Sequence, residues 1–346
     1  LGEPCKAHLF GTDEYGRDIL SRIIYGSRVS ISIGIVAQII ASIVGVALGS
    51  LAGYYGGWVD SLISRVMEIF QAFPDLIFPM AIMTFMGKGV LNLFIALGLL
   101  TWVRTARMIR GSVMQLKEMV ASSDNIVFFG GAGVSTESGI PDFRSVDGLY
   151  HQKFRYPPET ILSHTFYERH KEEFFDFYRQ KLIAPEARPN AAHVKLAQWE
   201  RDGKLKAVIT QNIDGLHQMA GSHEVLELHG SVLRNYCERC GKFYGVDAIL
   251  HSTGVPKCSC GGDIKPDVVL YEESLDMQMM EHALEYISRA DMLIIGGTSL
   301  VVYPAAGLVQ YYRGHKLVVI NKGEVGAGVR ADLTIRAPIG EVLSQL

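Results

Sequence analysis

The chain has 346 residues and a formal net charge of −3, from 33 Lys and Arg against 36 Asp and Glu. This balance argues against a nucleic-acid binder that relies on overall charge, and the 48% apolar content excludes disordered and collagen-like chains. The mean hydropathy of +0.17 is high for a soluble protein. Because the excess of apolar residues comes from one region near the N-terminus, we expect two unlike parts. From the charge balance we expect no nucleic-acid partner.

The first part of the chain contains long apolar stretches. Residues Val29–Val59 include no charged side chain. That length suffices for a membrane-spanning helix, and a buried core helix is the alternative. Two further stretches, Leu76–Met86 and Val90–Val103, are separated by a turn at Gly87-Lys88-Gly89. We therefore predict an α-helical membrane segment with about three spans.

Basic residues follow the last apolar stretch at regular spacing, at Arg104, Arg107, Arg110 and Lys117. The positive-inside tendency makes this end cytoplasmic. We therefore expect the rest of the chain in the cytoplasm, and the first part in the inner membrane of the cell, in contact with lipid. An odd number of spans puts the N-terminus outside, and that placement is opposed by Arg17, Arg22 and Arg28.

Several motifs in the first part resemble one family of membrane proteins. They are Leu1-Gly2, Gly11-Thr12-Asp13-Glu14-Tyr15-Gly16-Arg17-Asp18, Tyr25-Gly26-Ser27-Arg28 and Gly53-Tyr54-Tyr55-Gly56-Gly57. Over residues 10–118 the chain is similar to the inner-membrane permease of dipeptide and oligopeptide ABC importers. Such permeases continue after Glu118 into a coupling loop that docks the ATPase, and this chain does not. We therefore expect residues 1–117 to be a truncated permease segment without an ABC ATPase partner.

The second part alternates short apolar runs with amphipathic stretches. This alternation predicts an α/β fold with a parallel sheet. The predicted helices are Phe166–Leu182, Ala191–Asp202 and Met277–Ser288. The predicted strands are Ile126–Phe129, Ala207–Thr210, Val225–Leu228, Met292–Gly296, Leu317–Ile320 and Leu333–Ile335. The junction between the parts falls inside Gln115–Val120, which can be helical on both sides.

A glycine-rich turn follows the first predicted strand. It reads Gly130-Gly131-Ala132-Gly133-Val134-Ser135. A strand that leads into glycines and then a helix can cradle a pyrophosphate, because glycines allow close backbone approach and a helix N-terminus offers free N–H groups. Thr136 stands where the usual third glycine would be. A glycine turn without a ligand is the alternative.

Four cysteines lie close together in the sequence. They form the pairs Cys237-x-x-Cys240 and Cys258-x-Cys260. Thiolates at such spacings can converge on tetrahedral Zn²⁺, and four cysteine ligands leave no open position, so this zinc would be structural. Two disulfides or free thiols are the alternatives. The second pair is one residue tighter than the usual spacing.

Polar groups follow two other predicted strands. Thr210-Gln211-Asn212-Ile213-Asp214 ends one strand and Glu227-Leu228-His229-Gly230 ends another. The carboxyl ends of parallel strands are where open sheets bind ligands. At this position His229 can serve as a general base near neutral pH. A structural histidine is the alternative.

These motifs together resemble a second family. In chain order they are Gly131–Ser135, Gly139-Ile140-Pro141-Asp142-Phe143-Arg144, Thr210–Asp214, Glu227–Gly230, the four cysteines, Gly297-Thr298-Ser299-Leu300 and Val319-Ile320-Asn321. This is the order seen in sirtuins. The segment from about residue 115 to residue 346 looks like a complete sirtuin catalytic core, and we expect a domain over residues 118–346 with a zinc ribbon at about 232–266.

The sirtuin resemblance implies a fold and an activity. The fold is a Rossmann-type parallel sheet with a smaller module that combines a zinc ribbon and helices. The activity is NAD-dependent removal of acetyl groups from protein lysines, with release of nicotinamide and O-acetyl-ADP-ribose. The implied cofactors are NAD and one structural Zn²⁺, and the implied partners are acetylated proteins or peptides.

The same resemblance implies roles for individual residues. His229 takes a proton from a ribose hydroxyl, and Asn212 and Asp214 hold polar groups on the nicotinamide side. Asp142 and Phe143 line the nicotinamide pocket, and Arg144 orients that loop. The other residues implied to bind NAD are Gly131, Ala132, Gly133, Ser135, Gln211, Gly297, Thr298, Ser299 and Asn321. The substrate peptide adds as a strand along Val268, Val269, Leu270 and Tyr271.

One further motif indicates which acyl group is preferred. Sirtuins that prefer succinyl or malonyl lysine resemble one another in a Tyr-x-x-Arg pair that receives the acyl carboxylate. The corresponding stretch here is Tyr178-Arg179-Gln180-Lys181, with Lys181 in place of the arginine. Lysine lacks the paired donors of arginine, so we expect a preference for acetyl-lysine. A solvent-facing Lys181 is the alternative.

Two other interpretations of the whole chain remain at this stage. One is a transport subunit of a peptide ABC importer that carries a fused enzyme, although its coupling loop is missing. The other is a chimera of two genes, joined near Gln115–Glu118. The enzyme hypothesis has the fuller set of motifs and is the one we adopt.

Overall fold

The computed structural model describes residues 2–6, 8–74, 77–87, 89–144, 148–151, 154–326 and 328–346, without the side chains at positions 90 and 151. Three residues named in the predicted membrane segment, Leu1, Leu76 and Lys88, therefore lie outside the described residues. The chain divides into two compact units, Leu1–Met114 and Gln115–Leu346. Each unit is described by itself.

The first unit is built from helices. They are α1 (Ile19–Tyr55), α2 (Gly57–Ala72), α3 (Ile77–Met86) and α4 (Val90–Ala121), whose end belongs to the second unit. Helix α1 begins after Asp18, whose carboxylate accepts from the Ser21 amide at 2.8 Å and caps the first turn. It ends at Gly56, where φ is +59°. Glycine adopts this left-handed conformation without steric cost.

Small residues let helices α1 and α4 approach closely. A Cβ atom added to Gly49 would lie 2.4 Å from the Ala106 carbonyl oxygen, and one added to Gly45 would lie 2.6 Å from the Thr105 Cβ. With Ala37, Ala41 and Gly53 these glycines form a buried stripe at four-residue spacing. Such stripes are typical of helix pairs in membranes, where close packing replaces the hydrophobic effect.

The first unit contains candidate membrane spans. Among the described residues, α1 is long and apolar enough to cross a membrane, and only 17% of its most apolar window is buried, unlike a core helix. Helices α2 and α3 would supply a second span if the pair, bent by 91°, forms one broken span. The described residues thus offer one or two candidate spans, and the count of about three stays a prediction. The apolar run Val90–Val103 is part of the longer helix α4, which continues into its basic residues.

The second unit contains a parallel sheet and a small antiparallel sheet. The strands are β1 (Ile126–Gly130), β2 (Leu205–Thr210), β3 (Val225–Glu227), β4 (Gly230–Cys237), β5 (Phe243–Tyr244), β6 (Ile264–Val268), β7 (Met292–Gly296), β8 (Leu317–Ile320) and β9 (Leu333–Ile335). The parallel sheet has the order β3-β2-β1-β7-β8-β9 and the antiparallel sheet the order β5-β4-β6. These sheets confirm the predicted α/β fold with an added ribbon.

Helices cover the parallel sheet and form the small module. They are α5 (Pro158–Ile161), α6 (His164–Arg169), α7 (Lys171–Lys181), α8 (Ala191–Arg201), α9 (Leu216–Met219), α10 (Asp247–Leu250), α11 (Met277–Arg289) and α12 (Ile339–Leu343). The predicted helix Phe166–Leu182 is divided in two at His170, whose backbone is not helical (φ −137°, ψ 49°). Helix α7 packs with the ribbon around Phe174 and Cys237 in one apolar core.

The segment after β1 differs from the predicted helix. Ala132–Val134 and Thr136–Ser138 form two short 3₁₀ turns, and Gly139 ends the second with φ +86°. Two such turns present their backbone over the sheet edge but do not build the aligned dipole of a longer helix. The expectation of a helix N-terminus at this position is therefore wrong, while the glycine turn itself is present.

The junction between the two parts of the sequence is helical. Helix α4 runs through it to Ala121. Its last turns place Leu116, Met119 and Val120 in the apolar core on one face of the parallel sheet. The end of this helix is therefore an integral element of the second unit.

Candidate active site

A glycine cradle forms where strands β1 and β7 end. The Gly131 amide donates to the Gly296 carbonyl oxygen at 3.1 Å, and the Gly133 amide donates to the Gly297 carbonyl oxygen at 2.8 Å. A Cβ atom added to Gly133 would lie 2.8 Å from the Gly297 Cα, and one added to Gly131 would lie 2.7 Å from the Thr298 Cβ. Side chains at these positions would collide with the residues after β7, so glycine lets the two loops pack closely.

The Ser135 hydroxyl connects the glycine turn to the end of strand β2. It donates to an Asp214 carboxylate oxygen at 2.6 Å and accepts from the Asn212 amide nitrogen at 3.0 Å. The other Asp214 oxygen accepts from the Leu216 backbone amide at 2.9 Å. Three residues predicted to bind NAD, Ser135, Asn212 and Asp214, are thus brought together and hold one another in place.

His229 lies at the end of β3 in a partly buried position. Its Nδ1 is 2.9 Å from the Gln211 carbonyl oxygen. Because a carbonyl can only accept, Nδ1 carries the proton and Nε2 keeps its lone pair. Burial lowers the pKa of His229, and the bond to Gln211 opposes that shift only in part. The imidazole is therefore neutral at pH 7 and has a basic nitrogen available.

Gln211 links this histidine to the neighbouring strand end. Its side-chain amide donates to the Thr298 hydroxyl at 3.2 Å, and its backbone amide donates to the Gly130 carbonyl oxygen at 3.0 Å. The Gln211 carbonyl that orients His229 is thus fixed from β1 and from the residues after β7.

The predicted nicotinamide loop folds back on itself. Asp142 accepts from the Arg144 backbone amide at 3.1 Å, and the carbonyls of Asp142 and Phe143 accept from the amides of Leu149 and Tyr150, each at 2.9 Å. The Tyr150 ring lies 5.5 Å from the Phe143 ring and 5.6 Å from the Arg144 guanidinium. The loop is thus held around Tyr150.

Three further predicted NAD-binding residues lie at the same sheet edge. Ala132 opens the first 3₁₀ turn. Ser299 follows β7, and its carbonyl oxygen accepts from the Gly326 amide at 2.9 Å. Asn321 follows β8, and its side chain donates to the Gly323 carbonyl oxygen at 3.1 Å. The carboxyl ends of β7 and β8 therefore add polar groups beside the cradle.

The segment predicted to bind the substrate peptide comprises Val268, Val269, Leu270 and Tyr271. It continues past the end of β6, and its first and third side chains are buried. The Val269 amide donates to the His229 carbonyl oxygen at 3.0 Å, and the Tyr271 amide donates to the Leu162 carbonyl oxygen at 3.0 Å. These amides are engaged within the chain, and the role of this segment as an edge for the substrate peptide stays a prediction. Tyr271 is 40% exposed and remains available for contact.

The predicted acyl-pocket residues have different surroundings. Tyr178 is fully buried and stacks on Phe174 with ring centroids 5.5 Å apart. Burial raises the pKa of Tyr178 well above its usual range. The Lys181 ammonium lies 5.5 Å from the centre of the Phe154 ring. Lys181 therefore contacts the module's surface aromatic rather than pointing freely to solvent.

Arg179, the other cation of this stretch, is engaged by the ribbon. Its Nε donates to the Ile249 carbonyl oxygen at 3.0 Å, and another nitrogen donates to the Ser252 hydroxyl at 3.1 Å. A further bond reaches the Gly254 carbonyl oxygen. These bonds tie α7 to the loop after α10.

Two buried histidines beside the site were missed by sequence reasoning. The rings of His193 and His217 lie 4.6 Å apart. Burial lowers the pKa of His193 to about 4 and holds the pKa of His217 well below its usual range, so both are neutral. Asn190, which caps α8 with His193, donates to the Val134 carbonyl oxygen at 2.7 Å and the Ser138 hydroxyl at 3.0 Å. The available signal was an asparagine three residues before a histidine, which indicates a capping box.

The four cysteine sulfurs converge. All lie within 4.8 Å of one another. The closest Sγ pairs are Cys237–Cys260 at 3.5 Å and Cys240–Cys258 at 3.6 Å, far longer than a disulfide of about 2.05 Å. Tetrahedral Zn–S bonds of about 2.3 Å would separate sulfurs by about 3.8 Å. The residues therefore fit one structural Zn²⁺, and the tight second pair does not prevent convergence.

Comparison with known protein families identifies two matches. The Sir2 family model matches residues 131–304. A model described as a binding-protein-dependent transport system inner membrane component matches residues 45–119. Both sequence resemblances are thereby confirmed.

Curated relatives match a segment about as long as the second unit. An NAD-dependent protein deacetylase of Clostridium perfringens is 61% identical over 238 residues, which is 68% of this chain and 98% of that protein. One from Clostridium acetobutylicum is 59% identical over 235 residues, with 67% and 96% covered. These relatives consist almost entirely of the matching segment.

Solved structures give the same picture. Sir2 with deacetylated p53 peptide and 3′-O-acetyl ADP ribose has a TM-score of 0.62 and 41% identity, with 67% of this chain and 95% of that chain covered. Sir2 bound to acetylated peptide has a TM-score of 0.59 and 40% identity, with 66% and 94% covered.

We predict one zinc per chain, bound by Cys237, Cys240, Cys258 and Cys260. Cys237→Ser should abolish stoichiometric zinc and lower the melting temperature of residues 112–346, because metal binding and ribbon folding are coupled. Elemental analysis and thermal melting measure both effects. Ser259→Ala, between two ligands, is the matched control and should keep the metal. Purified wild-type protein without zinc would contradict the site.

Proposed function

This chain belongs to the Sir2 family, and on that premise we propose how residues 115–346 carry out NAD-dependent removal of acetyl groups from protein lysines. The observation that carries the proposal is His229, a neutral histidine with a basic Nε2. It follows strand β3, at the same edge of the parallel sheet as the glycine cradle. A glycine cradle and a positioned general base together suit chemistry on a dinucleotide.

NAD is held by the cradle and by the polar strand ends. When bound, NAD supplies the ribose carbon that takes the acetyl oxygen and the nicotinamide that is released. Gly131, Gly133 and Gly297 let the loops after β1 and β7 pack closely, because a Cβ atom at any of them would meet neighbouring protein atoms within 3.0 Å. The cradle that these loops form is the site for the pyrophosphate. The riboses and phosphates are contacted by Ala132, Ser135, Gln211, Thr298, Ser299 and Asn321.

The nicotinamide side is lined by two groups of residues. Asn212 and Asp214, fixed through Ser135, orient the nicotinamide amide and a water molecule. Asp142 and Phe143 close the pocket, where the Phe143 ring excludes water from the reacting carbon. Arg144 holds the loop through its contact with Tyr150.

The acetylated peptide lies along Val268–Tyr271. The engaged amides of Val269 and Tyr271 fix this segment relative to His229. The peptide is therefore aligned by the remaining carbonyls of the segment and by the exposed Tyr271 ring. With NAD and an acetyl-lysine bound, His229 Nε2 would take a proton from a ribose hydroxyl. The acetyl group would leave the lysine nitrogen for the ribose with consumption of one water, and free lysine, nicotinamide and O-acetyl-ADP-ribose would be the products.

We predict that His229→Ala lowers kcat by about a hundredfold or more, because a general base contributes this much. The matched control is His223→Ala, an exposed histidine six residues earlier. The assay is NAD-dependent deacetylation of an acetyl-peptide. The lowered pKa of His229 should also extend wild-type activity below pH 6.5, where an ordinary histidine is protonated. A wild-type rate in His229→Ala would refute the role.

The preferred acyl group is acetyl. Tyr178 is buried in the helical core, Lys181 contacts Phe154, and Arg179 is bonded to the ribbon loop. A succinyl carboxylate would lack the two parallel donors of a free arginine and would be costly to bury.

We predict a kcat/KM for an acetyl-lysine peptide about tenfold or more above that for the matched succinyl-lysine peptide, from the cost of burying an unpaired carboxylate. Both peptides are assayed on residues 112–346. Lys181→Ala should leave the ratio unchanged if the ammonium serves only the Phe154 contact. A succinyl preference lost in Arg179→Lys would assign the carboxylate site to Arg179 instead.

Residues 1–117 anchor the enzyme in the cytoplasmic membrane with the catalytic unit in the cytosol. The support is the apolar, largely uncovered helix α1, its stripe of small residues against α4, and the basic residues that follow. NAD and acetylated proteins are available on that side. No docking of an ABC ATPase is proposed, because the chain enters the catalytic unit where a permease has its coupling loop.

We predict that protease added to intact spheroplasts leaves the catalytic unit undigested, and that digestion follows only after permeabilisation. Immunoblotting with an antibody against residues 112–346 is the measurement. A soluble cytosolic protein serves as the control for intact membranes. Digestion of the catalytic unit from outside would overturn the orientation.

A further inference from the structure

Two tyrosine hydroxyls join segments that the proposed function assigns to different substrates. The Tyr150 and Tyr271 hydroxyl oxygens are 2.5 Å apart and share a hydrogen bond. Tyr150 belongs to the loop assigned to nicotinamide, and Tyr271 belongs to the segment assigned to the peptide. The contact is therefore a direct connection between the two parts of the site.

Tyr150 is the support of the nicotinamide loop. Its backbone amide donates to the Phe143 carbonyl oxygen at 2.9 Å. Its ring contacts the Phe143 ring at 5.5 Å and the Arg144 guanidinium at 5.6 Å. A displacement of Tyr150 would therefore move Phe143, which lines the nicotinamide pocket, and Arg144, which orients its loop.

Tyr271 is fixed from its other side. Its amide donates to the Leu162 carbonyl oxygen at 3.0 Å, and its carbonyl accepts from the His164 amide at 2.9 Å. Two residues earlier, the Val269 amide donates to the His229 carbonyl oxygen. Backbone hydrogen bonds thus hold Tyr271 in place, in a segment that is also bonded to the catalytic histidine.

The next residue strengthens this attachment. Glu272 has φ +75°, a left-handed conformation that is unfavourable for a residue other than glycine. Its carboxylate accepts from the Thr165 amide at 2.9 Å and from the Thr165 hydroxyl at 2.6 Å. These two bonds at the start of α6 hold the corner after Tyr271 in place.

We propose that Tyr150 and Tyr271 are positioning residues, and that their hydroxyl pair holds the Asp142–Arg144 loop in the conformation that binds NAD. The inference rests on the proposed function of this site. Neither tyrosine needs to touch NAD, because the pair acts through Phe143 and Arg144. Burial and the partner hydroxyl raise the pKa of Tyr150 above its usual range, so the Tyr150 hydroxyl stays uncharged throughout the neutral pH range.

The test is a double-mutant cycle with Tyr150→Phe and Tyr271→Phe on the full chain in detergent. Each substitution removes one hydroxyl and keeps the ring. We expect each single variant to raise the KM for NAD about fivefold at saturating acetyl-peptide, the loss of one hydrogen bond, with kcat within twofold. The double variant should show no further increase, because either change alone breaks the same bond.

Controls separate positioning from stability and from the proposed function. Tyr311→Phe, an exposed tyrosine in the 3₁₀ segment Ala305–Tyr311, should match the wild type. An NAD KM unchanged in every variant, or additive increases in the double variant, would overturn the inference. If Tyr271→Phe lowers the melting temperature, the inference is tested by the KM for NAD of Tyr150→Phe alone. A wild-type protein without deacetylase activity would instead reject the proposed function.

Discussion

Strand β1 is the constraint on which the catalytic unit depends. All five of its residues are buried, and it pairs in parallel with β2 on one side and β7 on the other. The connectivity of the sheet reverses between β1 and β7, so the loops after these strands diverge and leave a crevice at their carboxyl ends. Both strands end in glycine, and a Cβ atom at Gly296 would lie 2.2 Å from the Ile339 side chain. The end of β1 determines the positions of the cradle, Ser135 and Gln211.

The electrostatics of the site follow from burial. Three histidines near the strand ends, His193, His217 and His229, have pKa values lowered by desolvation and are neutral at pH 7. Asp214 supplies a negative charge that is fixed by Ser135 and by a backbone amide. A cationic nicotinamide ring would meet no protonated imidazole from these three residues. Neutral histidines and a held carboxylate thus suit both substrate binding and base catalysis.

Residue patterns predicted the strands well and the turns poorly. Met292–Gly296 and Leu317–Ile320 have their predicted bounds, because short Val- and Ile-rich runs are characteristic of buried parallel strands. The 3₁₀ turns after Gly131 could not be distinguished from a helix, since both follow glycine and both lack local periodicity over three residues. His193 and His217 were missed because their position depends on long-range packing. Predicted site roles such as that of His229 came from strand-end position and family resemblance together.

The end of helix α4 is completed by residues far along the chain. Lys204 donates to the Val120 carbonyl oxygen at 3.0 Å, 84 positions away, and Lys316 donates to the Ser122 carbonyl oxygen at 2.6 Å, 194 positions away. Such bonds satisfy carbonyls that a helix leaves without partners at its C-terminus. During translation the ribosome therefore releases the apolar helices and the end of α4 long before either lysine is synthesised. On the nascent chain, the carbonyls at the end of α4 therefore lack these two partners until Lys204 and Lys316 have been synthesised.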